Sequence, residues 1–336
     1  MKRGLLLAGS ILAMAAVAAA HEPRVARAAD PAPLQIETKI PLGAVKGRID
    51  HMAVDVAGQR LFVAELANGS IGIVDLRTAG VSGRIRGFKE PQGVGYVAPT
   101  ATLYVASAGD GSVRLFRGTN LDQAGRIELG EDADNIRVDP ANNRVFVGYG
   151  AGALAVIDAT ENRKIADIAL DGHPEGFRLE GGGSRIFVNV PDAHAIEVAD
   201  RQRNGVMAHW TTGQARENFP MALDEASGQV LVAFRKPATL AAFSMQNGAQ
   251  VASARACGDA DDVFVDTRRH RVYVSCGDGH LDIFVPENGN FRRIAHLPTS
   301  PGARTSLFVP ALDRLFLAVR AGHGEPAAVW VYQPTP

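Results

Sequence analysis

The chain has 336 residues, of which 46% are hydrophobic and 36 are glycine, and its formal net charge is −1. This is globular composition with many tight turns. Charges of both signs are spread along the chain without a basic block, which argues against nucleic acid or an anionic membrane as a partner.

Met1-Lys2-Arg3 is followed by a small and apolar run from Gly4 to Ala20, in which Ser10 is the only polar residue. A charged start, an apolar stretch and alanine-rich cleavage options predict a signal peptide over residues 1–28, cut between Ala20 and Ala29. An uncleaved anchor is the rival, but the run is short and dominated by Ala and Gly. No second apolar run is long enough to span a bilayer, so the mature chain is expected in the periplasm, as a monomer without a membrane span. Export makes the only two cysteines, Cys257 and Cys276, worth pairing; two buried free thiols are the alternative. Within their repeat the first two strands are antiparallel. Cys276 therefore ends near the start of the first strand, with Cys257 on the incoming loop.

Pro31 and Pro33 mark an extended linker. Leu34 to Ile40 then reads as one isolated strand, ended by Pro41. From there the chain repeats. The stretch Asp132 to Tyr149 predicts a polar opening, a strand (Ile136 to Asp139), a tight turn and a second strand (Arg144 to Tyr149). Asp259 to Cys276 is a near-copy. Aligning on the second strand finds seven copies: Asp50 to Val63, Gln92 to Val105, Asp134 to Val147, Glu175 to Val188, Phe219 to Val232, Asp261 to Val274 and Arg304 to Leu317. The position of Asp55 recurs at Val97, Asp139, Glu180, Asp224, Asp266 and Val309, in steps of about 42 residues. Each copy continues into further strands, such as Ile71 to Asp75 and Gly83 to Arg86. Four short strands in about 40–45 residues make a propeller blade. The fold class is all-β, a seven-bladed propeller over residues 34–336. The last copy has a third strand, Ala328 to Tyr332, and no fourth. The strand at Leu34 to Ile40 is expected to supply it and so close the ring.

The pieces Leu61-Phe-Val-Ala64, Leu103-Tyr-Val-Ala106 and Arg271-Val-Tyr-Val274, with Gly-Asn or Gly-Asp loops after such strands, resemble the YVTN/YncE-like beta-propellers. The resemblance covers essentially the whole mature chain. It implies the fold and leaves the activity open, since propellers host binding proteins, lactonases, lyases and quinoproteins alike.

In a propeller the residues just before each first strand sit at one mouth of the central channel. Those opening positions are Asp50, Gln92, Asp134, Glu175, Phe219, Asp261 and Arg304. The next positions include His51, Asn135 and Asp262, and two places earlier stand Arg48, His173 and Asp259. They are mostly polar and differ from blade to blade, which predicts a site with unlike sectors. The acids at the Asp55 position read as turn formers instead. Solvated loop residues are the bland alternative for the mouth. Four acids converging on one axis need a cation, an arginine or raised pKa values. A divalent cation such as Ca²⁺ held by Asp50, Asp134, Glu175 and Asp261 is one answer, and Arg304 is another. His51 and His173 offer a base or a ligand. No Cys-x-x-Cys-His, Gly-x-Ser-x-Gly or His-Glu-x-x-His motif is present. Two function classes follow. One is a propeller binding a small polar ligand or a periplasmic protein at the mouth. The other is a metal-dependent hydrolase, lactonase or lyase using the same acids.

Overall fold

The computed structural model describes Met1 and residues 32–336, except 323 and 325. The expected signal peptide lies outside the described residues.

Among the described residues, twenty-eight strands form seven four-stranded antiparallel sheets, here numbered in chain order. The innermost strands are β2 (Met52–Asp55), β6 (Pro91–Val97), β10 (Ile136–Asp139), β14 (Phe177–Leu179), β18 (Arg216–Asp224), β22 (Ala260–Asp266) and β26 (Ser306–Val309). Each touches the next around the axis, and β26 returns to β2. The ring is therefore closed. It is an all-β propeller of seven blades.

Closure uses the N-terminal strand. β1 (Leu34–Pro41) pairs antiparallel with β28 (Ala328–Pro334), with Leu34 opposite Pro334 and Ile40 opposite Val329. Blade seven thus takes its outer strand from the start of the chain, which removes two open sheet edges at once.

The second strand of each blade is buried on both faces, because blades stack face to face. Leu61, Phe62, Val63 and Ala64 are all fully buried. That is why these strands read as unbroken apolar runs rather than alternating ones. Outer strands alternate instead, as in Arg163–Ala169. The core is correspondingly divided. Seven apolar clusters form, each shared by two neighbouring blades. None of them fills the axis, so the axis is free to be polar.

The recurring acids close the hairpins after the inner strands. Asp55 accepts the Gly58 N–H at 2.9 Å and pairs with Arg60, and Asp266 accepts the Arg268 and Arg269 N–H groups. Cys257 and Cys276 form a disulfide with Cα atoms 5.8 Å apart. Cys276 pairs in register with Ala260, which brings the incoming loop over the strand end.

Candidate functional site

The inner strands begin irregularly where they reach the mouth. Register shifts fall between Pro91 and Val94, between Asn218 and Met221, and between Ala260 and Asp262. Such bulges re-aim side chains toward a site. The backbone two places before each opening position is left-handed in five blades, at Glu90, Asp132, Glu217, Asp259 and Gly302. Neighbouring blades also approach closely here. A Cβ at Gly93 would lie 1.9 Å from the Asp134 carbonyl oxygen, and one at Gly176 would lie 2.4 Å from that of Phe219. Glycine is required at both places by contact.

These features build a narrow cup of about 30 Å³ at the mouth, room for about one or two waters. Asp50, His51, Asp134, Asn135, Glu175, Asp261 and Asp262 line it, with Arg48, Arg137, Arg178 and Phe219. It opens toward a larger axial cavity of about 320 Å³, which shares His51, Arg137, Arg178 and Asp262. Three predicted residues lie beside the cup. Gln92 accepts a long hydrogen bond from Arg48 Nη2 at 3.4 Å. The His173 Nδ1 is 2.6 Å from the Gly150 carbonyl and 3.6 Å from Asp132 Oδ2. Arg304 lines a neighbouring cavity with Asp259 and Arg320.

The charges are unevenly met. Arg304 is committed within the protein: its Nη1 straddles both Asp259 oxygens at 2.8 and 3.0 Å, and its Nε is 3.0 Å from Asp261 Oδ2. This is the counter-charge role that the sequence offers for Arg304 among the converging acids, and it leaves the guanidinium engaged within the protein. Asp261 is doubly held, since Arg235 Nη2 donates to its Oδ1 at 2.5 Å while the Arg235 guanidinium stacks 3.9 Å from the Phe219 ring centre. Asp262 accepts the Ser306 N–H at 2.7 Å. Asp50 and Asp134 are the exceptions. Arg48 Nη2 comes within 2.7 Å of Asp50 Oδ2, yet neither Asp50 oxygen, nor Asp134 Oδ1, accepts a well-aligned hydrogen bond, although all three are buried.

The titration behaviour follows from this. Burial pushes Asp50 up, against the pull of Arg48 and Arg304. Burial, with Asp50 and Glu175 nearby, pushes Asp134 well above the usual carboxylate range. Burial and Asp261 raise Glu175 to about 7, and burial raises Asp262 to about 8. His51 is driven down to about 3, first by burial and then by Arg137, so it is neutral at neutral pH. Asp261 is also raised by burial, although Arg304 opposes the shift.

The carboxylates expected to hold a cation line one cup but are not at coordination distance. No three of Asp50, Asp134, Glu175 and Asp261 bring an oxygen each within 4.8 Å of one another. As placed, they do not fit Ca²⁺, which needs six to eight oxygens at about 2.3–2.6 Å.

Arg235, Arg137 and Arg178 had no place in the sequence-predicted site. Arg235 comes from the second strand of blade five, β19 (Gln229–Lys236), where no mouth position was expected. Arg137 and Arg178 occupy the position three residues after the opening acid in blades three and four. The equivalent residues are Ala53, Gly95, Ala222, Phe264 and Leu307. Two arginines among small and apolar residues were a readable signal.

No family model matches the chain, and no curated protein sequence does. Solved structures do. The chain is similar to one titled Kuenenia stuttgartiensis hydrazine synthase, at 16% identity and a TM-score of 0.71, covering 82% of this chain and 94% of that one. It is similar to a chain of the mitotic checkpoint complex at 14% identity and a TM-score of 0.74, covering 96% of this chain and 99% of that one. The fold is a seven-bladed propeller. Identities this low carry the fold and no activity.

Proposed function

We propose that this chain is an exported, YncE-like binding propeller that holds a small polar ligand at the acid-lined mouth of its channel. One observation carries this reading. Asp134 Oδ1 is buried without a donor, and beside it Asp50 has only Arg48, 2.7 Å from its Oδ2 in poor alignment. A buried polar atom without a partner costs free energy, and native proteins rarely keep one without a use. A ligand bearing hydroxyl or ammonium groups supplies the missing donors. The metal-assisted hydrolase reading lacks comparable support, because the acids are not gathered to coordinate an ion.

The test is a thermal-shift and calorimetric screen of the mature chain against small polyols and primary amines. Compounds of one class should raise the melting temperature of wild type, and Asp134→Asn should lose that response. A screen in which none binds, or in which Asp134→Asn responds as wild type does, overturns the reading.

A further inference from the structure

We propose that the axial cavity is a receptor for a small organic carboxylate, gripped by Arg137 and Arg178 with its apolar body against Val54, Tyr96, Phe264 and Leu307. The inference rests on the central channel being the ligand site and adds the charge of the ligand.

Two cations at the axis lack counter-ions. Arg137 and Arg178 both line the cavity of about 320 Å³. Their hydrogen bonds go to neutral groups. Arg137 donates to the Phe177 and Ile136 carbonyls and to Asn135 Oδ1, and Arg178 donates to the Phe177 carbonyl. Among the described residues, no carboxylate oxygen lies within 4.0 Å of either guanidinium. Three other arginines at this mouth do have such a partner: Arg48 has Asp50, Arg235 has Asp261 and Arg304 has Asp259.

The acids that act on them do not repair this. Asp134 acts on Arg137 and Asp262 on both arginines through space, but neither is within ion-pair distance, and the Asp262 carboxylate serves the Ser306 N–H. Burial raises Asp262 to about 8, so it is largely neutral at neutral pH. His51, also on the wall, is neutral too. Burial pushes Arg137 well down, and the Arg178 charge pushes it further. Two adjacent, partly buried cations of this kind are poised to receive an anion. Guanidinium forks match a carboxylate in shape as well as charge.

The rest of the wall decides what the anion carries. Met52, Val54, Val94, Ile136, Val138 and Leu307 are aliphatic, and Tyr96 and Phe264 add ring faces. A bare inorganic ion would leave that surface facing water. An organic acid covers it, and the cavity volume is that of a small-molecule site.

The experiment uses hexanoate and benzoate, each beside its neutral amide, hexanamide and benzamide, titrated calorimetrically into the mature chain. The acids should bind and the amides should not. This comparison is made on wild type and needs no variant. Arg178 is the residue to change, because it makes one backbone contact where Arg137 makes several. Arg178→Gln should weaken acid binding on the order of thirtyfold, and Arg178→Lys should keep part of it. Equal binding of acids and amides, or no binding of either acid at millimolar concentration, overturns the proposal. The polyol and amine screen keeps the two failures apart. If acids fail while a polyol or amine binds in an Asp134-dependent way, the mouth stands and the carboxylate inference falls. If no probe of any kind binds, both fall.

Discussion

Glu175→Gln should make the protein more stable at neutral pH, and the gain should vanish in acid. Glu175 sits just outside β14, with Asp261 and Asp50 acting on it, and burial is the largest force on its titration. An unfolded chain ionises this side chain near its ordinary 4.5, whereas the folded chain keeps the proton to about 7. Below 4.5 both states are protonated and the contribution is fully present. Between the two values the folded state binds more protons than the unfolded one, so stability falls as pH rises. Above 7 the loss is complete. At about 1.4 kcal/mol per pH unit the interval carries about 3 kcal/mol. The acids of the cup titrate as a set, so replacing one of them is expected to recover about 1–3 kcal/mol. Glutamine cannot ionise and keeps nearly the same shape. Urea unfolding of wild type and variant from pH 4 to pH 8.5 measures the difference. It should be near zero at the acid end, grow through the window from 4.5 to 7, and level off above it. A difference that is flat with pH, or that favours wild type as pH rises, refutes the account of the cup as buried and under-compensated.

Three other outcomes are expected. Reducing the Cys257–Cys276 bridge, or replacing both cysteines with alanine, should cost about 3 kcal/mol, since the bridge closes a short loop with a sequence separation of 19; denaturant melts with and without reductant measure it, and coincident curves would contradict it. Ile40→Ala should cost about 2–5 kcal/mol, because Ile40 is buried in the cluster between blades seven and one; a change below about 0.5 kcal/mol in the same melts would mean that β1 does not hold the ring closed. Mass spectrometry of native protein should find a mature N-terminus between residues 21 and 30, and an intact Met1 would remove the export expectation.

The blades were legible because a propeller repeats its core. Leu61-Phe-Val-Ala64 and Leu103-Tyr-Val-Ala106 are both fully buried by the same stacking, so selection for packing writes the same pattern at each step. Closure was legible from a deficit, a last copy lacking one strand and a spare strand before the first. The mouth was legible only by position. Alignment told which residues share a level of the ring, and seven of the ten expected there do line one cup. It could not tell which charges are already met. Arg304 reads in sequence as a counter-charge to the opening acids, but only the structure shows that Asp259, two residues before an opening acid, shares it with Asp261. Arg137 and Arg178 stand out in sequence only as two arginines where the other blades carry small or apolar residues, which does not tell their role. They lie inside strands, where a period-two reading assigns a face but cannot distinguish a channel wall from a blade interface.

The divided core explains how the channel can keep so many charges in poor company. Each blade interface has its own apolar cluster, and none includes a charged residue of the acid cup. Uncompensated groups at the axis therefore subtract from stability without opening a cavity in any core. In a single-core domain, Asp134 and Arg137 would sit where packing is most demanding, and each would be strongly destabilising. Here they border space rather than packed side chains. Arg137 and Arg178 line both the cup, where Asp50 and Asp134 lie, and the axial cavity beyond it. Charges placed for stability would have been paired across that short distance, as Arg235 and Arg304 are with Asp261. Leaving Asp134 Oδ1 without a donor, and Arg137 and Arg178 without a carboxylate within 4.0 Å, is the arrangement expected of a site whose missing partner comes from outside the chain.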